Sequence, residues 1–305
     1  GEARTFCNKP IIAVPMGLVD VSPAVSLLHK QGLPCYTFPE NAMRALAAKV
    51  RFAEWTRAPL AEFARFDANK AAAARIMADE LAAGRPNLIE VKALEVFKHY
   101  QFPTTPFELA KSADEAAAAA KKIGFPVVMK IVGPKILHKT DVGGVVLNLA
   151  DEAAVRKAHD EMLARVRSKL GKDIEIWGVL IQKMLPKGKE IILGMTRDPA
   201  FGPLLMFGLG GIYTEALRDV SFRLAPIRAN NAKEMIHSIR SYRLLEGVRG
   251  EPPSDLDAIA ECLLRLSQMV TAHPEIKELD VNPLIVYPKG QGAIAADARI
   301  ILSEK

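Results

Sequence analysis

The feature that most constrains this chain is an apolar strand that carries a lysine and leads into a glycine-bearing loop. Lys130 follows Val127–Met129 within PVVMKIV, and the loop His138–Gly144 runs into a second strand, GVVLNL. A lone lysine at a strand end is most often solvated, so the prediction depends on that loop. Glycines expose backbone N–H groups to an anion and a lysine adds a point charge, so this unit predicts a phosphate-binding hairpin. Its spacing is not that of a Walker P-loop.

The residues after 86 alternate between strand and helix patterns and predict an α/β domain. Asn87 can cap a first helix, with Glu90 three residues later completing a capping-box pair. The other predicted elements are strands at 126–132, 144–149, 177–182, 190–197 and 204–208, helices at 151–170 and near 254–272, and a closing hairpin formed by ELDVNPLIVY and GAIAADARIIL.

The closing hairpin contains a candidate metal site. Asp280 and Asn282 are two apart on one strand and therefore share a face, and Asp297 on the partner strand can meet them. Taken singly, Asp and Asn near a proline are more often turn residues. Their paired arrangement favours three converging oxygen ligands, which suit Mg²⁺ together with phosphate oxygens and water.

The first part of the chain has a different organisation. KPIIAVPM and Cys35–Phe38 are strand patterns, each followed by a helix pattern, so residues 1–67 have the order β-α-β-α and form half of a doubly wound domain. We therefore expect the chain to begin inside a domain. The alanine-rich stretch 68–86 ends at Gly84-Arg85-Pro86 and predicts a helical linker, which leaves 87–305 as the second domain.

Composition excludes several classes of protein. The net charge is +6, but the basic residues are dispersed and aromatic residues make up 6%, which favours small phosphorylated ligands over nucleic acid. No apolar run reaches the roughly 18 residues of a membrane span, so we expect no membrane segment and a cytoplasmic location. Cys7, Cys35 and Cys262 are too widely spaced to suggest a disulfide framework or a zinc site.

Three segments carry a resemblance to a known family. PVVMKIVGPKILHKTDVGGVVLNL, LIQKMLPKGKEIILGMTRDPAFGPLLMFGLGGIYTEALRD and ELDVNPLIVYPKGQGAIAADARI resemble the ATP-grasp portion of ADP-forming acetyl-CoA synthetases, relatives of succinyl-CoA synthetase, over about 87 to 302. KPIIAVPM and QGLPCYTFPENAMRAL resemble the end of the CoA-ligase subdomain that precedes it. The implied fold is a two-lobed ATP-grasp domain preceded by a partial flavodoxin-like CoA-ligase segment.

The resemblance also implies roles for individual residues. His138, flanked by Lys135 and Lys139, corresponds to the histidine that these synthetases phosphorylate, whereas the other five histidines are expected to be surface residues. A second glycine-rich segment contains Gly208, Gly210 and Gly211, and beside it lie Glu215, Arg197, Asp198 and Arg223. The implied nucleotide-binding residues are Lys130, Lys139, Gly143, Gly144, Gln182, Lys183, Met184 and Glu190, the phosphate loop is Gly208, Gly210 and Gly211, and the metal ligands are Asn282 and Asp297 with Asp280 as a ligand or its neighbour.

The implied activity is phosphoryl transfer between ATP or ADP, with Mg²⁺, and a histidine. It would be one part of the reaction acyl-CoA + ADP + phosphate ⇌ acid + ATP + CoA, with CoA-binding and CoA-ligase domains or a subunit as partners, in an oligomeric enzyme. Two alternatives stay open: an ATP-grasp ligase that activates a carboxylate directly, and a nucleotide-sensing module without catalysis. The acyl group is not specified by these residues.

Overall fold

A computed structural model describes residues 9–17, 20–57, 62–134, 136, 139–210, 219–248 and 250–303. The chain divides into two compact units, 1–60 and 61–305. The α-helices are α1 Ser22–Lys30, α2 Pro39–Arg57, α3 Lys70–Ala82, α4 Glu90–His99, α5 Ala113–Ile123, α6 Glu152–Leu170, α7 Ala229–Ser238 and α8 Leu256–Ala272. The strands are β1 Asn87–Leu88, β2 Phe107–Ala110, β3 Val127–Val132, β4 Val145–Leu149, β5 Gly178–Lys183, β6 Lys189–Asp198, β7 Gly202–Leu209, β8 Val220–Leu224, β9 Ile276–Val286, β10 Ala293–Ala295 and β11 Ala298–Leu302.

The first unit retains the predicted order but not the predicted strands. Ala13 and Cys35 form an isolated parallel bridge where two strands were expected, and α1 lies between them in sequence. Helix α2 buries Ala42, while Phe52 and Trp55 are 63% and 71% exposed. Two extended segments with no further strand beside them in the described part of this unit cannot build a sheet, since a lone strand pair is marginal in water.

The second unit contains a smaller antiparallel sheet in the order β2-β5-β3-β4. Helices α5 and α6 cover one face of it, and Ser112 and Asp151 cap their first turns by accepting hydrogen bonds from backbone N–H groups. Alternate residues of β3 therefore point to opposite sides: Met129 and Ile131 pack under the helices, and Lys130 points the other way. This confirms the predicted strands and puts Lys130 on the face that α5 and α6 do not cover, where Val132 and Leu180 pack in the core of the larger sheet.

The larger sheet of the second unit joins seven of the described strands. Its order is β1-β11-β9-β6-β7-β8, with β10 paired to β9. Helices α3, α4, α7 and α8 contribute side chains to its core. Within the described residues no helix is both long and apolar enough to pass through a membrane.

The stretch predicted as a linker is part of this second unit. Ala73 and Met77 of α3 are fully buried in the core of the larger sheet, and the main chain of Phe66 exchanges two hydrogen bonds, of 2.8 and 2.9 Å, with the side-chain amide of Gln268. The boundary between the units, after Leu60, therefore precedes the predicted one at 67. Burial of Ala73 and Met77, which the sequence pattern did not reveal, connects this helix to the core.

The predicted helix cap at Asn87 was also wrong. Asn87 pairs with Ile301 in β1, and α4 starts at Glu90 after Ile89, with no side-chain cap. The segment forms a short strand instead of a capping box because its backbone pairs with β11 at the edge of the larger sheet. Glu90 is therefore the first residue of α4, and its carboxylate accepts hydrogen bonds from two lysines outside the helix.

Candidate functional site

A cleft of about 620 Å³ lies between the two sheets of the second unit. Its walls come from both sheets, so it combines groups that are far apart in sequence. The smaller sheet and its loop contribute Val132, Lys139, Thr140 and Val145, and the larger sheet and its neighbours contribute Asn87, Glu90, Asp280, Asn282, Asp297 and Arg299.

Lys130 of the smaller sheet contacts two of the carboxylates that line this cleft. Its Nζ donates to Glu90 Oε1 at 2.5 Å and to the carbonyl of Ala296 at 2.9 Å, and it lies 3.5 Å from Asp297 Oδ2. Burial alone would lower the pKa of Lys130, but the carboxylates of Glu90 and Asp297 raise it above its ordinary value. Lys130 is therefore a charged ammonium group in a mostly dry site.

Glu90, which the sequence analysis considered only as a helix-capping residue, contacts both lysines of this site. Its carboxylate is 2% exposed and accepts hydrogen bonds from both Lys130 and Lys139. Burial would raise the pKa of Glu90, but the two ammonium groups hold it below its ordinary value. A signal was available, because Glu90, Leu94 and Phe97 share one helical face, and a carboxylate on an apolar face needs a partner.

The three predicted metal ligands come together in the cleft. Asp280 and Asn282 lie on one face of β9, Asp297 lies between β10 and β11, and the backbone N–H of Asn282 donates to the Asp297 carbonyl at 3.2 Å. Burial raises the pKa of Asp280 and of Asp297, and each is raised further by a neighbouring carboxylate. A divalent cation would relieve both effects.

This donor set fits Mg²⁺ rather than a closed protein cage. Among the described residues no group of three or more His, Cys, Asp or Glu side chains forms a metal site. Two carboxylates and one amide leave coordination positions for phosphate oxygens and water, the arrangement that Mg²⁺ usually adopts with nucleotides. The residues present therefore fit a metal held jointly by the protein and a phosphorylated ligand.

The glycines of the hairpin loop serve packing instead of offering free amides. The N–H of Gly143 donates to Thr140 O at 3.0 Å and that of Gly144 donates to Lys139 O at 2.7 Å. A Cβ on Gly144 would lie 2.3 Å from Ile131 Cγ2, so only glycine fits there. These two N–H groups therefore donate to carbonyls within the turn and are not free to bind the phosphate predicted there. Lys135 and His138 lie outside the described residues.

The predicted adenine-binding segment is mostly committed to internal hydrogen bonds. The N–H groups of Lys183 and Met184 donate to Pro106 O and Pro126 O, and Lys183 Nζ donates to two carbonyls of the turn before β3. Lys183 thus stabilises that turn. Gln182 is different: it is 2% exposed, and its Nε2 is without a partner in the described part of the chain. It lies opposite Val128, on the same face as Lys130.

In the described part of the second glycine-rich segment, the glycines are strand residues or make backbone hydrogen bonds to neighbouring strands. Gly208 lies inside β7, paired with Ile192 and Val220, and the N–H of Gly210 donates to Glu190 O at 2.8 Å. The predicted phosphate loop therefore does not include Gly208, whose missing side chain allows β8 to approach. Glu190 is exposed at the start of β6 and is absent from the residues that line the cleft. Gly211 and Glu215 lie outside the described residues.

Other polar residues near these turns are structural. Arg197 donates to the carbonyls of Val270, His273 and Ile276 and so closes the end of α8. Asp198 accepts two N–H bonds of the β6–β7 turn. Arg223 lies 3.7 Å from Glu234, beside α7.

Two of the histidines expected at the surface are buried. His159 and His273 are 6% and 4% exposed. Each has its Nδ1 at 3.0 Å from a neighbouring carboxylate, which allows an imidazole on an amphipathic helix or at its end to be covered.

A two-sheet cleft with paired lysines on one wall and metal-type oxygen ligands on the other defines an ATP-grasp protein, and the ATP-grasp domain model matches residues 79–302. The chain belongs to that family, as the ATP-grasp portion of ADP-forming acyl-CoA synthetases. It is 44% identical to the beta subunit of ADP-forming acetate–CoA ligase I of Pyrococcus furiosus, over 77% of this chain and 100% of the subunit.

Longer relatives show how much of a whole enzyme this chain represents. It is 46% identical to the ADP-forming 4-hydroxybutyrate–CoA ligase of Nitrosopumilus maritimus, over 96% of this chain but 42% of that protein. The chain therefore spans less than half the length of such relatives.

Solved structures agree in fold. Acetyl-coenzyme A synthetase 1 of Ca. Korarchaeum cryptofilum, with coenzyme A and Ca-AMPCP, matches with a TM-score of 0.73 and 45% identity over 75% of this chain and 99% of that one. Another structure of that enzyme, with Mg-AMPPCP and a phosphohistidine segment pointing towards the nucleotide binding site, matches with a TM-score of 0.68 and 42% identity over 76% of this chain and 100% of that one.

Proposed function

We propose that this chain is the nucleotide-binding, phosphoryl-transfer module of an ADP-forming acyl-CoA synthetase. One observation carries the proposal: Lys139, Glu90 and Asp297 line one cleft, and both carboxylates also pair with the buried ammonium group of Lys130. A nucleotide whose phosphates lie between them would be neutralised by Lys130 and Lys139. Phosphoryl transfer needs little covalent work from a protein, so such positioning and charge neutralisation are the expected contributions.

Asn282 and Asp297 would hold Mg²⁺ directly, with Asp280 as a third ligand or its neighbour. When bound there, the metal would offset the negative charge of the phosphates. Gln182 would hold the base, because its buried and unpaired Nε2 can donate a hydrogen bond to a ring nitrogen of adenine.

His138 would be the phosphoryl acceptor on this chain, according to phosphohistidine + ADP ⇌ histidine + ATP. In this direction the bond between the histidine nitrogen and phosphorus breaks, and a β-phosphate oxygen of ADP forms the new bond. Support comes from Lys139, the next residue, whose ammonium group lies in the cleft, and from the phosphohistidine segment of the K. cryptofilum enzyme.

The complete reaction, acyl-CoA + ADP + phosphate ⇌ acid + ATP + CoA, would need CoA-binding and CoA-ligase partners in an oligomeric enzyme. This chain spans less than half the length of its longer relatives. The exposed aromatic side chains of α2 would suit a segment whose surface is covered by the CoA-ligase partner. A cytoplasmic location belongs to the same proposal, since cysteines too widely spaced to suggest a disulfide framework are typical of a reducing compartment.

The test is phosphorylation of the chain by γ-labelled Mg-ATP, followed by mapping of base-stable label. We expect label on His138, its loss in His138→Ala, and its retention in His237→Ala, which removes an exposed histidine of α7. Label that is absent from the chain even with a CoA-ligase partner present, but appears on a carboxylate substrate, would instead indicate a direct ATP-grasp ligase. Nucleotide binding with no transfer in either assay would indicate a sensing module.

A further inference from the structure

The carboxylate of Glu90 has both of its oxygens occupied by lysines of the proposed phosphate site. Oε1 accepts from Lys130 at 2.5 Å, and Oε2 accepts from Lys139. Glu90 belongs to α4, whose Val91 and Leu94 pack in the core of the larger sheet, whereas both lysines come from the hairpin of the smaller sheet. One buried anion of the larger lobe therefore fixes two cations of the other.

The two lysines depend on Glu90 to different degrees. Lys130 has a second hydrogen bond, to the carbonyl of Ala296 at 2.9 Å, and lies 3.5 Å from Asp297. Apart from Glu90, the partner that the described residues offer the Lys139 ammonium group is Asp297, at 3.9 Å and without a hydrogen bond. Loss of the Glu90 charge would thus free Lys139 much more than Lys130.

Glu90 cannot act on the metal in this arrangement. A carboxylate whose two oxygens both accept from ammonium groups has no oxygen directed at a cation, and Asp280, Asn282 and Asp297 already supply the ligands that suit Mg²⁺. Its effect on a nucleotide therefore passes through the lysines. This separates Glu90 from the metal ligands, although it lines the same cleft.

We propose that Glu90 is a positioning residue that holds Lys130 and Lys139 as a fixed pair of cations for the phosphates of the nucleotide. The inference rests on the proposed function and adds a residue to its site. Two long lysine side chains lose much rotamer freedom when they are ordered. Because Glu90 orders these side chains when the protein folds, their rotamer entropy is lost on folding and does not weaken the binding of the phosphates.

The test compares affinities for ADP and adenosine by titration calorimetry on the whole chain, with and without Mg²⁺. In Glu90→Gln we expect ADP affinity to fall roughly tenfold, which corresponds to about 1.4 kcal/mol, while adenosine affinity is unchanged. Because Glu90 acts on lysines, the loss should be equal with and without Mg²⁺. The loss should also not add to that of Lys139→Gln, since residues of one network are not independent.

Glu80→Gln is the matched control. Glu80 is another buried glutamate of the second unit, paired with Arg85 at 2.7 and 3.0 Å, and it is not among the cleft residues. That variant should lose stability but keep the ratio of ADP to adenosine affinity. All measurements are made where circular dichroism shows each protein folded. If Glu90→Gln does not fold, Glu90→Asp is used, which keeps the charge but withdraws it by one methylene group.

The outcomes separate the inference from the proposed function. Wild-type protein that binds ADP no better than adenosine would overturn both. Wild-type protein that prefers ADP, with a Glu90 variant whose preference is unchanged or stronger, would overturn the positioning role alone. A loss confined to the Mg²⁺-dependent part of binding would also overturn it, because that result would assign Glu90 to the metal.

Discussion

Replacement of Lys130 by methionine tests how much the buried ion pairs of this lysine contribute to the folding stability of the chain. Methionine has a similar length but no charge, so Glu90, at 2% exposure, would keep Lys139 as its one remaining ionic partner among the described residues. The lost interactions are the hydrogen bonds of 2.5 Å to Glu90 and 2.9 Å to Ala296 and the attraction of Asp297 at 3.5 Å. Breaking a buried pair from one side costs about 3–5 kcal/mol. The remaining lysine puts the expectation at the lower end of that range, about 3 kcal/mol.

The assay is urea unfolding followed by far-ultraviolet circular dichroism, without nucleotide, with Lys122→Met as control. Lys122 belongs to an ion pair of comparable length, 2.7 Å to Glu108, but its side chain is 75% exposed. An exposed pair is worth about 0–1 kcal/mol, so this variant should unfold close to the wild type. Equal urea midpoints for the two variants would refute the conclusion that burial makes the ion pairs of Lys130 more stabilising than an exposed pair.

Three further predictions concern individual residues. Gly144→Ala should destabilise the chain by about 1–3 kcal/mol because its Cβ would meet an isoleucine of β3 at 2.3 Å, whereas Gly194→Ala should cost less because its nearest neighbour, 3.0 Å away, is the movable methyl of Met206; thermal denaturation compares them. Burial raises the pKa of Asp280, so its ionisation costs stability as the pH rises above the ordinary value. Asp280→Asn should therefore raise the urea midpoint at neutral pH without Mg²⁺, a gain that disappears below the ordinary aspartate pKa, while calorimetry shows weaker Mg-ADP binding. Gln182→Leu removes a buried Nε2 that has no partner in the described residues, so it should weaken adenosine binding without lowering the unfolding midpoint.

Periodicity was enough to predict most elements of the second unit. The strand at 127–132 alternates between a helix-covered face and the cleft, and α6 carries Val155, Met162 and Val166 on one buried stripe. The two-residue strand β1 was missed because a segment that short has no period of its own. It forms because the edge of β11 is available, and a local pattern does not contain that information.

The glycines show a different limit of the sequence. A glycine in a loop indicates that a side chain is not tolerated, but it does not show in which direction the N–H group points. At Gly144 the excluded side chain would meet Ile131, and the N–H donates back to Lys139. Only the exposure of N–H groups to a phosphate was considered in the sequence analysis, but close packing is a second physical reason for glycine, and a sequence does not distinguish the two.

Glu90 and Lys130 are forty residues apart in sequence, and no spacing rule joins them. Their contact follows from topology, since β3 directs Lys130 to the face that α5 and α6 do not cover, and α4, which packs in the core of the larger sheet, brings Glu90 to that face. The cations of this cluster thus belong to one lobe and the anions to the other. Each lobe alone would carry like charges with no partner, which is costly in a buried position. The same ion pairs therefore connect the two lobes and order the lysines of the proposed phosphate site, so folding stability and nucleotide affinity should change together in variants of this cluster and independently elsewhere.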